Sequence, residues 1–224
     1  MPNTLNLSPD ELLTTTRAVR RRLDLDKAVP EQLVRECVQI ALQAPSGSNA
    51  RRWHFVVVGD ATKRAGIADL YRRAFDLYRS MPTSAHALAR QAAGTPDASV
   101  MLGVQDSAEA LASNLHRAPW LVIPCIEGRI APSGGALDAL MGASVYGSIL
   151  PAFWSFMLAA RARGLGTCWT TLHLTQEKAA AEMLGIPEHV MQGALIPVAH
   201  TLGGTDFKPG PRRDLDRIIH HETW

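Results

Sequence analysis

The stretch "APSGSNARRWHFVVVGD", residues 44–60, decides the fold. Its second half, "HFVVV" at 54–58, is a short run of β-branched and aromatic residues and reads as a buried strand. Upstream, "PEQLVRECVQIALQA" at 30–44 reads as a helix, with Leu33, Cys37, Ile40, Ala41 and Ala44 on one apolar face. Pro45 and Gly47 stop that helix. What lies between is unusual in content: Pro45, Ser46, Gly47, Ser48 and Asn49, then Arg51 and Arg52. Small residues let backbone N–H groups come close to a ligand, and guanidinium groups bind phosphate through paired hydrogen bonds. Alone, such a loop is more often a plain helix-to-strand connection.

Further elements follow on either side. "SPDELL" is a helix start, with Ser8 as N-cap, Pro9 at the first helical position and Glu11 closing a capping box. "WLVIPCI" at 120–126 and "GALIPVAHT" at 193–201 read as two more strands, whose prolines favour an edge or a bulge. Residues 142–163 form a long apolar helix ending at Gly164, with Arg161 and Arg163 in its last turn, where cations suit the helix dipole. "TQEKAAAEMLG" gives another helix, capped by Thr175 and stopped by Gly185. Residues 61–117 are helical but broken at "MPTSAH" and "AAGTPDAS", and read as an excursion, a candidate lid, from a single domain spanning 1–224. Tyr71, Phe75 and Tyr78 share one helical face within it, by lid lining or by ordinary helix packing.

Composition narrows the functional classes. With 23 basic and 21 acidic residues the net charge is +2, which leaves few phosphate contacts for a nucleic-acid partner. Cys37, Cys125 and Cys168 are far apart and form no CxxC pair, so neither a zinc site nor a disulfide framework is expected, and a cytoplasmic location is. The N-terminal residues lack a signal-peptide pattern. The run "ASVYGSILPAFWSFMLAA" contains Pro151 and is expected to be a core or interface helix rather than a membrane span. No dinucleotide fingerprint, P-loop, zinc-protease motif or nucleophile elbow is present, and no metal site is expected.

What remains is basic. Arg17, Arg20, Arg21 and Arg22 cluster in "TTTRAVRRRLD" (14–24), and Arg212 and Arg213 in "PGPRRDLDRII" near the C-terminus. Singly, each cluster is more often a solvated face. In order, however, "TTTRAVRRRLDLDKAVP", "ALQAPSGSNARRWHFVVV", "LAARARGLGTCWT", "LGIPE" and "PRRDL" resemble the FMN-dependent nitroreductase family from about Thr14 to Leu215. The resemblance implies an α+β, three-layer α/β/α fold with a central, mostly antiparallel sheet, built as a homodimer with interlocked protomers and two FMN sites at their interface. It further implies that Thr16, Arg17, Ala18, Val19 and Arg20 grip the FMN phosphate and ribityl chain, and that Arg212 and Arg213 return to the phosphate. Pro45, Ser46, Ser48 and Asn49 would come from the partner subunit. Trp169, Thr170 and Thr171, within the segment from Gly166, would pass backbone groups along the flavin ring, and Asn114 would contact it.

The implied activity is oxidoreduction. NAD(P)H would reduce FMN by hydride transfer, and a small electron-poor acceptor such as a nitroaromatic or quinone would then be reduced, in ping-pong order. No catalytic acid or nucleophile is required, since the chemistry belongs to the cofactor. The fold also hosts ene reduction, dehalogenation, flavin breakdown and FMN storage, and sequence does not separate these. Three departures from the family pattern stand out: Ala18 where serine is usual, Leu23 near a usual phenylalanine, and Arg51 and Arg52 in place of Gln-Pro, which add two cations beside the pocket. Cys168 and Trp53 are expected to be packing residues. Trp169 could stack on an aromatic substrate or fill core.

Overall fold

Strand β3 (Trp120–Glu127) organises the molecule, because its side chains alternate between two separate apolar clusters. Leu121, Ile123 and Cys125 enter one cluster, while Val122 and Ile126 enter the other, the period-two pattern of a strand covered on both faces. The computed structural model describes residues 4–130, 133–212 and 214–224. Among these, β3 pairs antiparallel with β2 (Trp53–Val58), β5 (Val190–Gln192) and β6 (Ile196–Thr201). Strands β1 (Leu23–Asp24) and β4 (Leu165–Thr167) pair antiparallel with β6, so the sheet has the order β1-β6-β3-β2 with β4 and β5 branching from it.

Helices make the outer layers. α2 (Glu31–Ala41) packs on α6 (Asp138–Ala162), which carries Ile149, Phe153 and Phe156 into the second cluster. The opposite face is covered by α3 (Ala61–Arg79), α5 (Ala98–Asn114) and α7 (Glu177–Leu184), with α4 (Ala85–Gln91) lying beyond, against α5. α1 (Pro9–Thr15) begins as expected: the Ser8 hydroxyl accepts from the Glu11 N–H at 3.2 Å, and the Glu11 carboxylate accepts from the Ser8 N–H at 2.8 Å. The arrangement is the α+β, antiparallel-sheet sandwich that the resemblance implies.

Several local expectations are corrected. β3 and β6 are inner strands despite Pro124 and Pro197. Pro124 sits where β3 passes from pairing with β6, through Val122, to pairing with β5, from Cys125, so its missing N–H falls in the gap. The strand expected at 193–201 is shorter, and Leu195 instead exchanges backbone hydrogen bonds with Thr170. In α2 the buried face is Val34, Cys37 and Ala41, while Ile40 is 41% exposed. Thr175 does not cap α7: its hydroxyl donates to Leu172 O, and the helix opens two residues later. Gly185 and Gly164 do end their helices, with φ of 69° and 74°.

α6 starts four residues earlier than the sequence pattern shows and runs through Pro151. It is long and apolar enough to cross a membrane by length and composition, yet its second half is a core helix of the sandwich. Its first half differs. Leu137, just before it, and Leu140 are 66% and 62% exposed, and Met141 and Tyr146 are exposed as well.

Of the expected packing residues, Trp53 and Cys168 are buried, as are Tyr71 and Phe75. One buried polar residue stands apart. His173 is fully buried and neither ring nitrogen finds a hydrogen-bond partner. Burial holds its pKa down to about 4 from an ordinary 6.5, opposed weakly by Glu177 and Gln192 nearby. The unfolded chain therefore takes up this proton near pH 6.5 and the folded chain only near 4, so the neutral ring's contribution is complete above 6.5 and is lost as pH falls toward 4. The gap is worth about 3 kcal/mol. In urea unfolding, His173→Leu should gain on the wild type by about that amount between neutral pH and pH 4; a pH-independent difference would contradict the assignment.

Candidate functional site

The N-terminal basic segment leaves α1 through Thr16, whose N–H and hydroxyl both donate to Leu12 O, at 3.2 and 2.6 Å. Both donors of Thr16 are thus spent inside the helix end, and the next residue, Arg17, is thrown outward. Arg17 donates from Nη1 to Lys208 O at 3.0 Å. Close by is Gly210, where an added Cβ would lie 2.8 Å from Arg212 Nη1 and 3.3 Å from Arg17 Nη2. Two guanidinium groups from opposite ends of the chain thus face one small volume. Arg213, the other member of the C-terminal basic pair, lies outside the described residues.

The chain then runs alongside β4. The Val19 N–H donates to Thr167 O at 2.8 Å, and Ala18 bridges Thr167 in parallel. β4 is followed by Cys168, Trp169, Thr170 and Thr171. Trp169 packs on Phe153 with ring centroids 5.1 Å apart, and Thr170 Oγ1 donates to the Tyr71 hydroxyl at 3.2 Å. Burial raises the Cys168 thiol pKa, with the Arg20 guanidinium pulling against it. Tyr71 is likewise pushed up, to about 12, mainly by burial. Neither group carries charge at neutral pH, so Arg20 is the fixed charge here.

Arg20 also lines a cavity of about 170 Å³ together with Asn114 and Leu111. The structure therefore brings Asn114 to the same place as the basic segment. Its amide donates to Ala110 O at 2.9 Å, and its oxygen faces Arg117 Nη1 at 3.4 Å. Arg117 was not singled out from the sequence, nor were Phe207 and Gly210. Their signal is spatial: nothing in "TDFKPGP" marks a residue that meets Arg17 across the fold.

The loop from Pro45 to Asn49 lies elsewhere in the fold. Gly47 N–H donates to Ser148 Oγ of α6 at 2.9 Å, and an added Cβ at Gly47 would meet Ser144 and Ser148 at 3.2 Å, so the loop rests directly on the helix. Ser48, Asn49 and Arg51 all have φ of 52°, left-handed conformations that non-glycine residues seldom adopt. Local bonds hold them there: Arg51 N–H donates to Ser46 Oγ at 3.1 Å, and Arg51 Nε donates to Asn49 Oδ1 at 2.9 Å. Such clusters of strain concentrate at binding sites. Beside the loop, Arg51 and Arg52 line a cavity of about 210 Å³ with Ser46, Met141 and Val145.

Helix α6 measures the separation. Ser148 meets the loop, whereas Arg161 donates to Thr15 Oγ1 at 3.2 Å beside the basic segment. Residues 148 and 161 are thirteen positions apart, or about 20 Å along a helix. Thr16–Arg20, Arg212 and Asn114 thus gather on one side, Pro45–Asn49 rest on α6 about 20 Å away along the helix, and Trp169 packs on Phe153, five positions from Ser148 and eight from Arg161.

Comparisons with known proteins agree with this architecture. The chain is 30% identical to an NADH dehydrogenase of Thermus thermophilus, over 91% of this chain and 90% of that one. It is 28% identical to a 4-nitrobenzoate reductase of Nocardioides sp., over 80% of this chain and 75% of that one. Its fold is similar to that of an iodotyrosine deiodinase crystallised with FMN and 3-iodo-L-tyrosine, with a TM-score of 0.69, 19% identity, and 96% and 99% of the two chains covered. The model of the nitroreductase family matches residues 13–200, and the chain belongs to that family.

Proposed function

We propose that the chain is an FMN-dependent oxidoreductase that uses NAD(P)H as reductant and acts as a homodimer with two flavin sites between its protomers. The observation that carries this reading is the convergence of Arg17 and Arg212 over Gly210. Two permanent cations directed at one small volume call for a compact dianion, and guanidinium groups match phosphate geometry. The donor set fits FMN. Arg17 and Arg212, joined by Arg213 from the sequence, would hold its phosphate, with Thr16 positioning Arg17 rather than donating itself. Ala18 and Val19 would follow the ribityl chain. Arg20, Asn114 and the backbone of Trp169–Thr171 would face the flavin ring.

Pro45, Ser46, Ser48 and Asn49 would reach that ring from the partner subunit. The exposed Met141, which lines the cavity beside the loop, and the exposed Leu140 next to it support this assignment, as an apolar surface suited to a covering protomer. The whole chain is read as one domain, with α4 and α5 over the sheet as its lid. All three cysteines are buried and unpaired, in keeping with a reducing compartment.

When bound, FMN supplies hydride chemistry between NAD(P)H and an electron-poor acceptor such as a nitroaromatic or quinone. The protein's own residues fix the phosphate, present backbone donors and place the Arg20 charge where negative charge gathers on reduction. One pocket serving reductant and acceptor in turn gives ping-pong kinetics. On the acceptor side, Arg51 and Arg52 stand in a cavity whose carboxylate, Glu127, faces His54 at 3.1 Å instead of them. They favour an acceptor that carries its own negative charge.

Protein loaded with FMN should be yellow, and anaerobic NADH or NADPH should bleach its flavin absorbance; a bound flavin that neither nucleotide bleaches would point to storage instead of turnover. Arg17→Ala and Arg212→Ala should each weaken FMN binding about 10- to 100-fold, the loss of one charge-assisted hydrogen bond. Unchanged affinity in both would remove the phosphate assignment. Separately, 4-nitrobenzoate should be reduced with a higher kcat/KM than the neutral 4-nitrobenzamide, by about tenfold, and Arg51→Gln with Arg52→Gln should level the two. Equal use of both by the wild type would sink the anionic preference alone.

A further inference from the structure

We propose that Phe207 is a positioning residue for the phosphate site: held by the guanidinium groups of Arg22 and Arg161, it seats the C-terminal arm so that Arg212 comes to stand beside Arg17. The inference rests on the FMN reading above and adds a residue that would touch no part of the cofactor.

Arg22 Cζ lies 4.4 Å and Arg161 Cζ 4.9 Å from the centroid of the Phe207 ring. Both distances fall well inside the range of about 6 Å over which a cation is attracted to an aromatic face. Arg161 has reason to be there. It is only 5% exposed, and its Nε and Nη1 have no hydrogen-bond partner, while Nη2 donates to Thr15 Oγ1. A guanidinium buried with two unused donors is unfavourable unless something else compensates it. The ring of Phe207, the carboxylate of Asp206 and the negative end of α6 offset its burial and the like charge of nearby Arg22. Arg22 is the second cation on the ring. Its Nε and Nη2 donate to the carbonyls of Leu202, Gly203 and Gly204 at 2.9, 3.2 and 2.8 Å, pinning the turn that leads into the arm.

Beyond that turn the arm has no sheet ladder: no strand or helix is assigned from 202 to 214 among the described residues. Phe207 is its apolar anchor, packed on the edge of the first cluster. From Phe207 to Arg212 the chain reads Phe-Lys-Pro-Gly-Pro-Arg, and two prolines in six residues leave few conformations. Arg17 supports the same piece from below through Lys208 O at 3.0 Å. The position of Arg212 is therefore inherited from that of Phe207. Without the clamp, the single hydrogen bond from Arg17 to Lys208 O is what holds the arm against the repulsion between Arg212 and Arg17, and Arg212 is free to swing further from Arg17.

The phosphate group gives the test its selectivity. Affinities of full-length apoprotein for FMN and for riboflavin, which differ by that phosphate, can be measured by flavin fluorescence. Wild type should bind FMN about 100-fold or more tightly than riboflavin. In Phe207→Ala the FMN affinity should drop about tenfold or more while riboflavin affinity stays put, so the preference shrinks. Phe207→Tyr, which keeps an aromatic face, should restore it, and Phe207→Leu, which keeps bulk alone, should not. Equal weakening of both ligands, or wild-type preference in the alanine or leucine variant, would overturn the clamp while leaving the FMN reading intact. A wild type that binds FMN and riboflavin equally would overturn the phosphate reading, and the clamp with it.

Discussion

Two like charges held face to face are the constraint on which the rest of this structure turns. Arg17 and Arg212 are 195 positions apart in the sequence and converge over a residue with no side chain. With one nitrogen of each lying 2.8 and 3.3 Å from the point where a Gly210 Cβ would stand, the two are at most about 6 Å apart, and their repulsion is about 1–3 kcal/mol between the bulk-water and near-surface limits. The fold must supply that from elsewhere, and it does so at both ends. On one side, the capped helix α1 ends in a Thr16 whose donors are closed, and the Val19 N–H is tied to β4, so Arg17 has no freedom to retreat. On the other, the arm is fastened by Arg22 and by Phe207. An arrangement that opposes its own electrostatics is stable only because neighbouring contacts over-determine it, and an anion placed between the two groups turns the unfavourable term into a favourable one.

The sheet explains why the cations can be held so firmly. β3 is covered on both faces, and its alternation sends Ile123 into one cluster and Val122 into the other. β4 is short and fully buried, yet it carries the backbone to which the basic segment is tied. The site therefore rests on the sheet rather than on a loop. The loop at 45–51 uses a different means to the same end, since three left-handed residues are kept in place by local hydrogen bonds and by the hydroxyls of Ser46 and Ser148. Rigidity comes from packing around the basic segment and from local hydrogen bonds in the loop.

Much of this was legible in the sequence, and the exceptions have physical reasons. The capping box at Ser8, the glycine stops at 164 and 185, and the strand at 54–58 depend on neighbouring residues alone, and each is where the pattern puts it. The basic clusters were legible as clusters; that Arg17 meets Arg212 was available only through likeness to a family. The failures all involve tertiary context. Proline lowers the odds of an inner strand, but β3 changes partners at Pro124, and the penalty vanishes. Ile40 satisfies helical spacing as well as Val34 does, and only the position of α6 decides which of them is covered. Thr175 had the right residue type for a cap, but a single turn of 3₁₀ helix from Leu172 absorbed it.

The interior withholds groups able to exchange protons near neutral pH. Beside Arg20, the thiol of Cys168 and the phenol of Tyr71 are held in their neutral forms. Burial raises the Cys168 thiol and pushes the Tyr71 phenol up to about 12. Further off, His173 is held down to about 4, and Cys125 is pushed up to about 12. A general acid or base works best with a pKa near the operating pH, and each of these groups is displaced away from it. What the protein offers instead is permanent charge, from Arg17, Arg20 and Arg212, together with backbone donors on a rigid frame. Such a site is suited to hold a charged group and bias its electronics, without exchanging protons with it. This is the division of labour expected when the reacting centre is brought by a bound molecule and the polypeptide contributes position and field.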